Sequence, residues 1–282
     1  MPTFNRITII GLGLIGGSLG MAVRKKRLAR EVVGFSRKPS TLIEAKRKGA
    51  IDRGETNLRA AVSGADMVVL ATPVDLIVPL AKQAARFMKP GSVITDVGST
   101  KAEIVAALDN RLPASIAFVG GHPIAGSEQR GIDAACANLF DGSLCILTPT
   151  RQTPAKAIKQ VSALWKPLVA QLITMGAKKH DQLLGATSHL PHLLAFCLAG
   201  VIDASCLPQA PRSFLEMTRL AKSDPDLWDD ILLSNREELV QLMDLFSKQW
   251  RAVRETLTGN DHRVLRNILS RAKAQRDALD RP

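Results

Sequence analysis

The residues Arg6-Ile-Thr-Ile-Ile10 run directly into Gly11-Leu-Gly13-Leu-Ile-Gly16, and this junction constrains the fold more than any other feature of the chain. An apolar strand, a G-x-G-x-x-G turn and a helix in that order form the first βα unit of a dinucleotide-binding domain. Gly11 permits the tight turn, Gly13 lets a pyrophosphate approach the backbone, and Gly16 lets the helix pack closely. The free amides of the helix N-terminus then face the phosphates. Gly11, Gly13, Leu14, Ile15 and Gly16 are therefore predicted to bind a dinucleotide. The uncharged run Ile7–Val23 superficially resembles a signal sequence, but five glycines interrupt it and a basic cluster, Arg24–Arg27, follows it.

Further apolar runs alternate with helical patterns through the first half. Strands are expected at Glu31–Phe35, Asp66–Ala71, Ser92–Asp96, Ile116–Gly120, Ser143–Leu147 and Ala170–Thr174. Alternation of this kind predicts a parallel, doubly wound α/β sheet of Rossmann type, with ligands gathering beyond the strand C-termini. Thr72 and Pro73, which close one of these strands, are placed at the cofactor on that ground. After Lys178 strand signals vanish and amphipathic helical patterns take over. The predicted division is a dinucleotide-binding domain over 1–176 and an all-α helical domain over 177–282. In the latter, Leu232, Leu239, Phe246 and Val253 recur every seven residues, beside a row of Met243, Trp250 and Leu257. Such a face fits a helix packed within its own domain or a subunit seam, and makes a homodimer plausible. Ser223-Asp224-Pro225-Asp226 carries the signals of a helix start.

Composition narrows the classes. The formal net charge of +12 is spread in short clusters, with no zinc-finger spacing or aromatic-basic signature, so nucleic acid is not an expected partner. No membrane span is expected. Cys136, Cys145, Cys197 and Cys206 form no C-x-x-C pair, which fits a reduced, cytoplasmic protein without structural zinc.

The second strand ends in Ser36-Arg37-Lys38, and Ser36 stands 20 residues after Gly16, where an NAD-preferring site usually carries an acid. A carboxylate would repel a 2′-phosphate, whereas Arg37 can pair with one. NADP is favoured as the cofactor; the alternative is that Arg37 and Lys38 are ordinary surface charges and NAD is used as well.

Three clusters carry candidate chemistry. In Asp96-Val-Gly-Ser99-Thr100-Lys101, Thr100 and Glu103 have the spacing of a capping box, leaving Ser99 freer to face a ligand. In Gly120-Gly121-His122-Pro123-Ile124-Ala125-Gly126-Ser127-Glu128, a glycine-rich loop beyond a strand is expected to present His122. In the helical half, Ser188-His189-Leu-Pro191-His192 places two histidines on neighbouring helical positions, without a third ligand at a convincing spacing for a metal. Arg219, in Phe214-Leu-Glu216-Met-Thr218-Arg219, needs an anionic partner, either an internal carboxylate such as Glu216 or Asp224 or a substrate.

GLGLIGGSLG, DVGSTK, GGHPIAGSE, SHLPH and FLEMTRLAKSDPDLW together resemble the prephenate/arogenate dehydrogenase family, in order and over nearly the whole chain. The resemblance implies a Rossmann domain followed by a helical dimerisation domain, and oxidative decarboxylation of prephenate or arogenate toward tyrosine. It implies His122 as the catalytic residue helped by Ser99, and Arg219 as the anchor of a substrate carboxylate. His189, His192 and Ser127 are expected near the substrate. Lys222 departs from the pattern, a smaller residue being expected there. Neither a regulatory domain nor a fused mutase is expected within these residues. The chain has no tyrosine, which excludes tyrosine acid/base chemistry. The rival readings are a 3-hydroxyacid dehydrogenase or reductase of the same architecture, and a nicotinamide sensor without chemistry.

Overall fold

A computed structural model describes residues 2–126 and 129–280. The chain divides into two compact units, Met1–Asn235 and Arg236–Pro282.

The first unit is built on one eight-stranded sheet in the order β3-β2-β1-β4-β5-β6-β7-β8. Its strands are β1 (Phe4–Ile10), β2 (Ala29–Phe35), β3 (Arg53–Glu55), β4 (Met67–Leu70), β5 (Val93–Asp96), β6 (Ala117–Ile124), β7 (Leu144–Thr148) and β8 (Gln171–Thr174). From β3 to β6 all neighbours are parallel, and the order reverses direction between β1 and β4, where a crevice opens beyond the strand ends. Ile10 lies level with Phe35 and Leu70, and Leu70 with Asp96, so the functional turns after these strands share one edge. Strand residues alternate between two apolar layers. Ile7, Ile9, Val69 and Trp165 are buried on one face; Ile10, Val68, Leu70 and Phe118 are buried on the other.

The sheet departs from the expected one in three places. Strand β3 is polar and three residues long, so it has no apolar run to announce it. Strand β7 runs antiparallel to β6, and β8 pairs parallel with β7, so the sheet is not parallel throughout. Among the described residues between β6 and β7 a 3₁₀ turn, Ile132–Ala134, is the only helical element, and the chain returns alongside in the opposite direction. Finally, β6 runs on to Ile124, so Gly120-Gly121-His122-Pro123 is strand rather than loop. Beyond Val119 it has outrun β5, which leaves that side open and lets Pro123 sit in a strand.

The helices of this unit are α1 (Leu14–Lys25), α2 (Pro39–Arg47), α3 (Leu58–Val62), α4 (Val74–Ala85), α5 (Ala102–Leu108), α6 (Ala155–Trp165), α7 (Ala177–Leu184), α8 (Leu190–Gly200), α9 (Arg212–Met217) and α10 (Pro225–Ser234). A π turn, Gly185–His189, joins α7 to α8, just ahead of Pro191, which has no N–H to continue the ladder. By length and composition alone Ala177–Gly200 could cross a bilayer, but it carries the buried polar residues His180, Asp181 and His189. Helix α10 begins as expected: Asp224 caps it, accepting from the Asp226 amide at 3.0 Å, and Pro225 takes the first position.

The second unit is the helix pair α11 (Arg236–Thr258) and α12 (His262–Ala278), the latter capped by Asp261. The seven-residue pattern is therefore split between α10 and α11 by a break at Asn235.

Candidate active site

The glycine turn after β1 has the form its sequence demands. Gly11 adopts φ +94°, and a Cβ there would stand 2.4 Å from the Ala71 carbonyl oxygen. A Cβ on Gly16 would stand 1.9 Å from the Gly11 carbonyl oxygen, whereas one on Gly13 would meet nothing within 4 Å. Gly11 and Gly16 thus hold the turn closed, and Gly13 leaves open space that a side chain would fill. That space belongs to a cavity of about 450 Å³ whose lining includes Gly13, Leu14, Ile15, Thr72, Pro73 and Ser99. Thr72 Oγ1 is buried there without a hydrogen-bond partner among the described residues. An open cradle at a helix N-terminus with an unsatisfied hydroxyl beside it fits the pyrophosphate of a dinucleotide. Across the cavity Arg130 pairs with Asp224, the cap of α10. Ser36 lies at the end of β2, its hydroxyl accepting from the Lys38 amide at 3.2 Å, while Arg37 and Lys38 are exposed. The neighbouring carboxylate, Glu55, is held by Arg53.

Asp96 organises the turn after β5. Fully buried, it accepts from the Gly98 amide at 2.9 Å and the Gly121 amide at 3.1 Å, and it pairs with the equally buried Lys101. Glycine at 120 makes this possible, since a Cβ would stand 2.4 Å from Thr148 Oγ1 and 3.3 Å from the Lys101 stem. The predicted capping box is not formed. Lys101 is the N-cap of α5, and the carboxylate of Asp181 accepts from the amides of Lys101 at 2.8 Å and Ala102 at 2.7 Å. The Thr100 hydroxyl instead meets that of Ser234 at 2.9 Å. A carboxylate delivered from another helix does the work that local spacing assigned to Thr100.

His122, on β6, is buried, and its Nδ1 lies 2.9 Å from Nε2 of His180. Nδ1 of His180 lies 2.7 Å from Asp181 Oδ1. Asn235 donates from Nδ2 to the Asp181 carbonyl at 2.9 Å, and the same nitrogen lies 3.0 Å from His189 Nδ1. His122, His180, Asp181, Asn235 and His189 are thus one continuous buried chain of hydrogen bonds. Burial, reinforced by His180, Lys101 and His189, holds the pKa of His122 well below 6.5. Burial likewise brings His189 down to about 4, with Asp181 acting in the opposite sense. Both rings are neutral at pH 7.

His192 stacks on Trp228 at 3.6 Å between ring centroids, its Nδ1 2.8 Å from the Ser188 carbonyl, and His189 meets the same indole edge-on. No group of three His, Cys, Asp or Glu side chains is gathered for a metal among the described residues. Arg219 opens a short 3₁₀ segment, Arg219–Lys222, and is exposed. Nearby, Glu216 pairs with Arg212 and Asp224 with Arg130. Lys222 is exposed, and nothing in the structure explains its size. Ser127 lies outside the described residues. Sequence reasoning passed over His180, Asp181 and Asn235; the only local signal is the adjacent His-Asp pair, which is unremarkable until the fold brings it against His122.

Two family models match the chain: prephenate dehydrogenase, nucleotide-binding domain, over residues 19–174, and prephenate dehydrogenase, dimerization domain, over 176–271. The chain belongs to the prephenate dehydrogenase family. Among its relatives, prephenate dehydrogenase of Bacillus subtilis (strain 168) is 34% identical over 97% of this chain and 76% of its own length. Cyclohexadienyl dehydrogenase of Zymomonas mobilis is 33% identical over 99% of this chain and 97% of its own. The crystal structure of prephenate dehydrogenase from A. aeolicus in complex with hydroxyphenyl propionate and NAD+ superposes with a TM-score of 0.89 at 32% identity, covering 98% of both chains. This family is an enzyme family, and the chain is an NAD(P)-dependent dehydrogenase of it.

Proposed function

We propose that the protein oxidatively decarboxylates arogenate and/or prephenate, giving tyrosine or 4-hydroxyphenylpyruvate, with NADP favoured and NAD possible. The observation that carries this reading is the neutral, buried His122, backed on one side by His180 and lying three residues before Ala125 in the wall of the dinucleotide cavity. The substrate ring bears a hydroxyl at one end and a carboxylate at the other. His122 accepts the hydroxyl proton through Nε2, a general-base step worth roughly 10²–10⁴-fold. A bound nicotinamide supplies the acceptor for the hydride that leaves the hydroxyl-bearing carbon. Carbon dioxide departs as the ring becomes aromatic, which pulls the reaction forward.

Gly11, Gly13, Leu14, Ile15, Gly16, Thr72 and Pro73 hold the dinucleotide in this reading, and Ser99 assists His122 at the substrate hydroxyl. His189, His192 and Arg219 bind the rest of the substrate, Arg219 as a carboxylate anchor, with Ser127 contributing from the segment after β6. The functional division is placed at residue 176, and the molecule acts as a homodimer through its helical part.

The deciding experiment is a set of initial rates pairing prephenate or arogenate with NAD or NADP, followed through reduced-nicotinamide absorbance. Turnover in any pair is the expected result and identifies substrate and cofactor together; cofactor binding without turnover in every pair overturns the reading. Replacing Ser36→Asp together with Arg37→Ala is expected to lower kcat/KM with NADP at least about tenfold relative to NAD, since a phosphate partner is lost and a like charge gained. An unchanged ratio places the 2′-phosphate elsewhere.

A further inference from the structure

We propose that His180, Asp181 and Asn235 are positioning residues that impose opposite tautomers on the two buried histidines, presenting His122 Nε2 as a bare acceptor and His189 Nε2 as a donor. The inference rests on the site reading above, and deepens it by saying what makes one histidine a base and the other a hydrogen-bond donor.

Asp181 is an acceptor on every side: its carboxylate receives the Lys101 and Ala102 amides at 2.8 and 2.7 Å, and Oδ1 also faces His180 Nδ1 at 2.7 Å. Nδ1 of His180 must carry a proton in that contact, and with that single proton on its ring His180 offers a lone pair at Nε2. Only a protonated Nδ1 of His122 can complete the 2.9 Å contact with it. A neutral ring holds one proton, so Nε2 of His122 is left bare, which is the form a base requires.

The other branch starts from the main chain of the same residue. The Asp181 carbonyl can only accept, which fixes the amide of Asn235 with Nδ2 toward it at 2.9 Å. The second proton of that nitrogen then points along the 3.0 Å contact to His189, whose Nδ1 must accept. His189 therefore keeps its proton on Nε2 and serves as a neutral donor, suited to a carboxylate or carbonyl oxygen of the substrate.

The backbone makes both branches possible. Eight residues separate Asp181 from His189, which on a regular helix leaves them roughly 80° apart. The π turn at Gly185–His189 takes up the extra residue and brings both onto the face that Asn235 meets. Asn235 is itself placed by the break after α10, where the helix ends one residue before it.

The test is ring-nitrogen NMR on histidine-labelled protein at pH 8, where an unprotonated imidazole nitrogen resonates well downfield of a protonated one. The chain has five histidines, so single substitutions assign the signals. The expected result is a bare Nε2 on His122 and a bare Nδ1 on His189. Two substitutions at His180 separate positioning from packing. His180→Gln keeps an acceptor opposite His122 Nδ1, and should keep its tautomer and stay within about tenfold of the parent kcat. His180→Leu removes the acceptor, and should mix the His122 tautomers and cost about a hundredfold or more in kcat with KM little changed. Asn235→Asp places an acceptor beside His189, moves its proton to Nδ1, and should raise KM at least about tenfold while kcat falls less. A proton on Nε2 of His122 in the parent protein, or tautomers unmoved by these substitutions, overturns the proposal whatever the enzyme turns over. The expected tautomers in a protein inactive on every substrate pair would uphold it and sink the functional reading instead.

Discussion

At the scale of single residues the site depends on rings kept neutral by burial. Replacing His122 with asparagine retains a polar group of similar reach but no base, so kcat is expected to fall at least about a hundredfold with substrate affinity largely kept. Turnover within a few-fold of the parent would remove His122 from the chemistry. The same neutrality makes the fold acid-sensitive. His189 titrates near 4 in the folded protein, against 6.5 for an ordinary histidine, so as pH falls the unfolded chain takes up the proton first. Stability from this residue is complete above about pH 6.5 and declines below it, by about 2 kcal/mol at pH 5 and about 3 kcal/mol at pH 4. His122 is shifted in the same direction and adds to the loss. Urea unfolding at pH 7.5 and pH 5 should show a lower midpoint at pH 5; equal midpoints would mean that these rings are not held neutral. His122 was legible in the sequence because glycines and a proline surround it. His180 and Asp181 were not, because His-Asp within Ala177-Lys-Lys-His-Asp-Gln reads as the polar face of a helix, and only tertiary contact gives the pair a task.

At the scale of elements, periodicity and glycine chemistry made β1, α1 and the turn between them readable, since every residue there meets a local requirement. Strand β3 and the antiparallel direction of β7 were not readable, because they are specified by what lies beside them: β3 by the edge of β2, and the direction of β7 by the chain's return alongside β6. The start of α5 shows the same limit. Thr100 and Glu103 have capping-box spacing, yet the amides are satisfied by Asp181, about 80 residues away. One consequence concerns Lys101, whose ammonium is buried against Asp96 beneath β6. Lys101→Met keeps most of the stem but strands a buried carboxylate, so a loss of about 3–5 kcal/mol is expected in denaturant unfolding. The double replacement Lys101→Met with Asp96→Asn should recover part of that loss, since it removes the stranded charge while Asn Oδ1 still accepts from one of the Gly98 and Gly121 amides. If the single replacement costs under about 1 kcal/mol, the pair is not what anchors the turn.

At the scale of the whole molecule, the second unit raises a question that a single chain cannot answer from its own packing. Helix α11 is 23 residues long, yet Met243, Phe246, Trp250 and Leu257 are all exposed, Trp250 at 65%. Met243, Trp250 and Leu257 stand seven residues apart, which on a helix places them in one row, and Phe246 stacks beside Trp250. A contiguous apolar row of this size is costly to leave in water and is the usual mark of an interface. The match of residues 176–271 to a dimerization domain supports a second copy of this chain as the partner. Sedimentation at micromolar concentration is therefore expected to give about twice the 30.4 kDa of one chain. Met243→Glu with Trp250→Glu sets charges into the row, and should shift the protein toward monomer while the sheet unit keeps its circular-dichroism signal and its cofactor binding. Persistence of the dimer in this double variant would place the seam on another surface and leave the α11 row without a partner. A monomer that still turns over substrate at the parent rate would show that each chain carries a complete site, whereas loss of turnover with cofactor binding intact would show that assembly completes the substrate side.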